Sequence, residues 1–104
     1  MKRGEVWWAN LPKPVGRRPV LLLSRNAAYS VRLSITVAPI TRTVYNIPVE
    51  VPLGTEDGMP AECVVNLDNI LTIPKRRLDR NVTALSPNKL RLVEAAIKFA
   101  LDID

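Results

Sequence analysis

The stretch GRRPVLLLSR, residues 16–25, places two arginines before an apolar run and one after it. Pro19 to Ser24 shows no polar alternation, which predicts a strand buried on both faces. Charged side chains enter a core only when paired, so Arg17 and Arg18 are expected at its mouth. Arg18 precedes Pro19, which holds its backbone extended, and Gly16 leaves room for a ligand backbone to approach. A guanidinium offers a planar fork of donors that suits a phosphate better than an ammonium does. It also keeps its proton at neutral pH. The chemistry open to Arg18 is therefore electrostatic: a fork of donors for a phosphate.

Other polar side chains are weaker candidates when taken singly. Thr41 ends an apolar strand and is followed by Arg42 and Thr43; a threonine there usually caps a turn. If residues 62–68 form a strand, Cys63, Val65 and Leu67 share a core face. Glu62, Val64, Asn66 and Asp68 then share the other, bringing an amide and a carboxylate together. Trp7 and Trp8 point to opposite faces, one into the core and the other free to stack on a base or meet a protein. Lys75-Arg76-Arg77 reads as a solvated basic turn, and Cys63 as an inert core thiol.

The residues that are missing exclude several mechanisms. The chain has no histidine and one cysteine. That removes Ser–His and Cys–His dyads, imidazole acid–base pairs, thiolate zinc clusters and internal disulfides. No dense carboxylate cluster suggests a two-metal site.

These side chains must be held by short elements. GEVWWANL (4–11) predicts a first strand that ends in a Pro/Gly loop, and RPVLLLS a second. RNAAYSVRL suggests a short helical turn. SITVAPIT (34–41) is a third strand, with Pro39 marking an edge or bulge. NIPVEVPL (46–53) is edge-like, with proline near both ends. ECVVNLDNILTI (62–73) is a long strand bent near Asp68-Asn69, PKRRLDR a turn, and NVTAL a last short strand. The period then changes: Ser86 is an N-cap, Pro87 opens a helix, and Leu90, Val93, Ile97 and Leu101 form one apolar face. The 104 residues predict a single mainly-β domain over 1–104, a small curled barrel with a C-terminal helix.

Charge is segregated. Residues 1–49 hold eight Lys/Arg against one acid, Glu5; residues 50–74 hold five acids and no base; residues 75–104 hold seven bases and four acids. The basic first half suggests an anionic partner, with nucleic acid the commonest. No apolar run approaches the roughly 20 residues that span a bilayer. MKRGEVWW has no apolar segment after it of the kind a signal peptide needs. A cytoplasmic chain with no membrane contact is the expectation.

Taken in order, these motifs resemble the MazF/PemK/Kid family of toxin endoribonucleases. MKRGEVWWANL resembles the family's opening R-G-[DE]-[IV]-[WY] strand, and RRPVLLLS its R-P-V strand. TVAPIT resembles the strand that ends in Thr or Ser, and ECVVNLDNILTIPKRRL the later strand with its basic turn. The resemblance implies an SH3-like, MazF/CcdB-like barrel that works as a homodimer. It implies metal- and cofactor-free RNA cleavage by 2′-hydroxyl attack, and inhibition by an antitoxin with an acidic, partly disordered segment. It makes Arg18 and Thr41 the catalytic pair, with Asp68 a candidate base, and Lys13, Arg17, Arg42, Asn66 and Asn69 RNA contacts. Two departures stand out. Some members carry Arg-x-Asp where this chain has Asn66 and Asp68, and the loop after the first strand is only PKPVG. A CcdB-like gyrase poison and a non-catalytic nucleic-acid-binding barrel are the alternatives; Arg18 with Thr41 favours the nuclease.

Overall fold

The computed structural model describes all 104 residues. Its central strand is β3 (Ser34–Thr41), with the bounds the sequence suggests. One edge of β3 pairs with β2 (Arg17–Leu22), from Val20↔Pro39 to Leu22↔Val37. The other edge changes partner along its length. Ser34 to Val37 pair with β6 (Leu71–Pro74), and Ile40 and Thr41 with β5 (Cys63–Asn66). Pro39, which suggested an edge, lies instead in the middle of the sheet. It falls between the last residue paired with β6 and the first paired with β5, where the ladder on that side is interrupted anyway.

Outside these strands lie β1 (Glu5–Asn10), β4 (Glu50–Leu53) and β7 (Leu78–Ala84), giving the order β4-β5-β3-β2-β1-β7. The end strands β4 and β7 do not pair, so the barrel is an open, curled antiparallel sheet. β4 is a true edge, and it tolerates Pro52 for that reason. It begins later than the sequence suggests. The buried Glu50 carboxylate accepts from the backbone N–H groups of Tyr45 (3.0 Å) and Asn46 (2.9 Å), and Asn46 has φ 55°, so this segment is a strapped loop. β7 begins earlier, because Leu78 and Arg80 pair with Ala9 and Trp8 of β1.

Alternation along β2 explains its uninterrupted apolar run. Leu21 packs with Val6, Ala38, Val65, Val93 and Ala96, beneath α2 (Pro87–Leu101). Val20 and Leu22 point the other way, into a second cluster with Tyr29, Ile35, Val37 and Ile73. Tyr29 comes from α1 (Ala28–Val31), the expected helical turn. Burying each such side chain stabilises by about 1.5–3 kcal/mol, so β2 is firmly anchored and its first residues are held in place at the sheet margin.

Ser86 caps α2, its side chain accepting from Lys89 N–H at 3.1 Å, with Pro87 in the first turn. Val93 and Ala96 are buried, and Leu90 and Ile97 pack beside them. Leu101, expected on this face, is 57% exposed, because the last turn carries its side chain past the packed core. The 62–68 strand also needs correction. β5 stops at Asn66 and a 3-10 turn, Leu67–Asn69, follows, so the alternation joining Asn66 to Asp68 is lost. Val64 is buried as well, since β5 lies between β3 and β4 with both faces covered. No helix is long and apolar enough to cross a membrane.

Candidate active site

A cleft of about 480 Å³ opens where the β1–β2 loop, the start of β2, the middle of β3 and the β6 region meet. Leu11, Val15, Leu71 and Ile73, with three prolines, supply an apolar lining. Its polar lining is Arg18, Asn69, Thr72 and Arg77, with no carboxylate. Such a volume accommodates a small organic group. Two guanidiniums without an acid call for an anion, and the apolar walls accept a flat ring.

Arg18 reaches this cleft through strand parity. It pairs with Ala9 of β1 and shares a sheet face with Val20 and Leu22, so it stands where that core face runs out. It is partly buried. The three ion pairs of the chain join Arg3 to Glu94, Arg17 to Asp79 and Lys89 to Asp57; Arg18 and Arg77 are in none. Gly16, at φ 70°, has open space where a side chain would stand, which keeps the approach to Arg18 clear.

Arg17 alternates to the opposite face. It pairs with Asp79, donates to Asn10 Oδ1 at 3.1 Å and lies over the Trp8 ring, 5.0 Å from its centroid. Its hydrogen bond to Asp79 is the main reason that carboxyl sits below the ordinary range; the charge of Arg17 and a hydrogen bond with Asn10 add to it. The guanidinium of Arg17 is thus engaged within the protein, whereas that of Arg18 is free.

Extending the β2–β3 register past Val20↔Pro39 sets Arg18 opposite Thr41, yet the two line different depressions. Thr41 and Arg42 line a smaller one, about 100 Å³, with Trp8, Met59 and Cys63. In that register the Arg18 and Thr41 side chains share a sheet face. Thr41 Oγ1 accepts from Thr43 N–H at 3.1 Å, the expected turn cap, and keeps its O–H to donate. Burial pushes the Cys63 thiol up, partly offset by the nearby Arg42 charge, so it is a poor nucleophile at neutral pH.

The 3-10 turn distributes the remaining candidates. Asn66 Oδ1 accepts from Asp68 N–H at 2.9 Å and caps the turn. Asp68 is exposed and lines neither depression, while Asn69 lines the cleft beside Arg18. Lys13 is exposed on the β1–β2 loop, whose Pro12 and Val15 form part of the cleft wall. Arg77 and Thr72 were missed in the sequence. The available signal was geometric: three consecutive bases on a tight turn cannot all face solvent in the same direction. No three of the Cys, Asp and Glu side chains converge in a geometry suited to a metal.

An open, curled antiparallel sheet with a C-terminal helix and an arginine-lined cleft defines the structural class. The chain belongs to the PemK-like, MazF-like toxins of type II toxin–antitoxin systems, whose family model matches residues 2–101. It is 41% identical over 91 residues to the probable endoribonuclease MazF2 of Mycobacterium tuberculosis, covering 86% of this chain and 87% of that protein. It is 36% identical over 101 residues to the probable endoribonuclease MazF5 of the same organism, covering 96% and 92%. Among solved structures, the M. tuberculosis toxin MazF-mt6 superposes with TM-score 0.89 at 35% identity, covering 96% of this chain and 98% of that one. A mycobacterial endoribonuclease in complex with its cognate antitoxin gives 0.88 at 27% identity, covering 100% and 97%.

Proposed function

We propose that this chain is the toxin of a type II toxin–antitoxin pair and an endoribonuclease that cuts RNA in the Arg18 cleft without a metal. The observation that carries this is the unpaired guanidinium of Arg18, set beside Arg77 in a cleft with no carboxylate. The ribose 2′-oxygen attacks the adjacent phosphorus, the P–O5′ bond breaks, and the products are a 2′,3′-cyclic phosphate and a 5′-hydroxyl. Negative charge grows on the phosphoryl oxygens during attack, and a fixed donor fork aimed there stabilises the transition state. Arg18 is the clamp on those oxygens and the acid toward the leaving 5′-oxygen. Asp68, on the turn that supplies Asn69, is the candidate acceptor for the 2′-hydroxyl proton. Thr41, the other member of the catalytic pair, donates a neutral hydrogen bond to the phosphate that Arg18 clamps, and Arg42 is an RNA contact beside it. Lys13, Asn66 and Asn69 lie along the path of the strand, and Arg17 contributes positive potential at its edge.

Purified protein incubated with total RNA in EDTA tests the reading. The expected products end in cyclic phosphate and 5′-hydroxyl. A strict requirement for Mg²⁺, or 5′-phosphate ends, would falsify it; intact RNA with inhibited gyrase would favour the CcdB-like alternative.

The partner reading rests on charge. A cytoplasmic homodimer is inhibited by an acidic antitoxin segment that lies over the basic surface of residues 1–49, at the cost of that segment's ordering entropy. An uncleavable RNA should compete with the antitoxin, and more weakly at high salt. A ternary complex with unchanged antitoxin affinity would place inhibition on another surface.

A further inference from the structure

We infer that RNA held in the Arg18 cleft continues across the Lys75–Arg77 turn onto a second basic depression, where it is held through its phosphates alone. The inference rests on the RNA cleavage proposed above and extends its footprint.

The turn is a 3-10 segment, with about three residues per turn, so neighbouring side chains diverge by roughly a third of a circle. Arg77 accordingly lines the catalytic cleft, while Lys75 and Arg76 line a separate open depression of about 590 Å³ with Asn26, Tyr29 and Ser30. One turn therefore forms the ridge between two basins and puts a guanidinium into each. The ridge is fixed in place. Lys75 N–H donates to Leu33 O at 2.9 Å and Lys75 Nζ to Tyr29 O at 2.7 Å, which pins the turn to the α1 segment. Arg76 is exposed and belongs to no ion pair.

Charge singles out this route. Neither basin has a carboxylate in its lining. The other large depressions do: Glu50, Glu56 and Glu62 line one, and Glu94 another. A polyanion leaving the cleft past Arg77 thus meets only cations and neutral groups on the Arg76 side. The second basin also lacks a stacking platform, because its one aromatic residue, Tyr29, is buried. Contacts there go to phosphate, which positions a strand without reading its sequence. Sequence preference then stays in the cleft, and the flank adds salt-sensitive affinity.

The test uses 2′-O-methyl RNA of random sequence, which cannot be cleaved, in lengths of about 5 and about 15 nucleotides, within the range that small single-strand binders cover. Dissociation constants are measured across a salt series. A longer strand offers more binding registers, which raises affinity without steepening its salt dependence, so the slope is the readout. The expected result is a steeper slope for the long strand. Arg76→Glu should lower that slope by about 0.7 or more, one phosphate contact, and leave the short strand unchanged. Circular dichroism checks that the variant is folded. Equal slopes for the two lengths in the native protein, or an Arg76→Glu effect of the same size on both, overturn the inference while leaving cleavage in the cleft standing. Failure of either strand to bind, together with intact total RNA, overturns both.

Discussion

Arg18 and Arg77 line one cleft, the first from the outer end of strand β2 and the second from the 3-10 turn after β6, and no carboxylate lines it with them. Two like charges in one cleft repel, and an anion between them relieves the repulsion. The arrangement therefore favours an anion between the two guanidiniums.

Arg18→Ala should keep the fold and lose 100- to 1,000-fold in cleavage rate, the cost of removing one transition-state donor, about 3–4 kcal/mol. The melting temperature should hardly move, since Arg18 is in no ion pair of the chain. Single-turnover cleavage of an RNA substrate, paired with a thermal melt, measures both. Near-normal cleavage by the folded variant would remove Arg18 from the mechanism.

Arg77→Ala should cost less, on the order of tenfold, and mainly in KM. Arg77 Nη1 already leans on the Asn10 carbonyl at 3.5 Å, so its fork is less free than that of Arg18. A charged hydrogen bond contributes about 1.5–3 kcal/mol. The Arg18/Arg77 double variant should lose less than the two single losses combined, because both act on the same anion. Full additivity would mean that the two guanidiniums bind separate phosphates.

Thr41→Ala should slow cleavage, but less than Arg18→Ala, because a neutral hydroxyl is the weaker donor. Thr41 also lines its own depression and accepts from Thr43 N–H, so some of the loss should appear as lower stability. Thr41→Ser retains the hydroxyl and should recover most of the rate. If Thr41→Ala proved slower than Arg18→Ala, the ranking of the two would be reversed.

Tyr29 gives the molecule an alkaline limit. Burial pushes its phenol from 10.0 up to about 12, against a smaller opposing effect of the Arg3 charge. A phenol whose folded value is raised favours the folded state fully below about 10. That contribution falls away as pH rises from about 10 through about 12, where the unfolded chain ionises first. Tyr29→Phe should therefore show a flatter stability profile between pH 10 and 12. Urea melts at several pH values test this; parallel profiles for the two proteins would count against it.

The strands were legible because their signals are local. SITVAPIT announces β3 and GRRPVLLLSR announces β2, and parity then puts Arg17 and Arg18 on opposite faces. The C-terminal helix was equally plain from Ser86, Pro87 and its period, apart from Leu101. What could not be seen depends on distant pairing. Pro39 looks like an edge residue until β5 and β6 are known to share one side of β3. Arg77 looks solvated until β6 brings its turn beside the β1–β2 loop.

The Leu67–Asn69 turn joins two ladders that are secured independently, β5 on one side and β6 on the other. Only Leu67 is buried; Asp68 and Asn69 project outward, and Asn69 lies at the cleft wall. Exchanging the Asn69 side chain breaks no strand pairing and opens no hole in the core. Of the two outer residues, only Asn69 faces the cleft, so substitutions there are the ones expected to change which base is preferred while the phosphate clamp, the Asp68 carboxylate and the barrel stay unchanged.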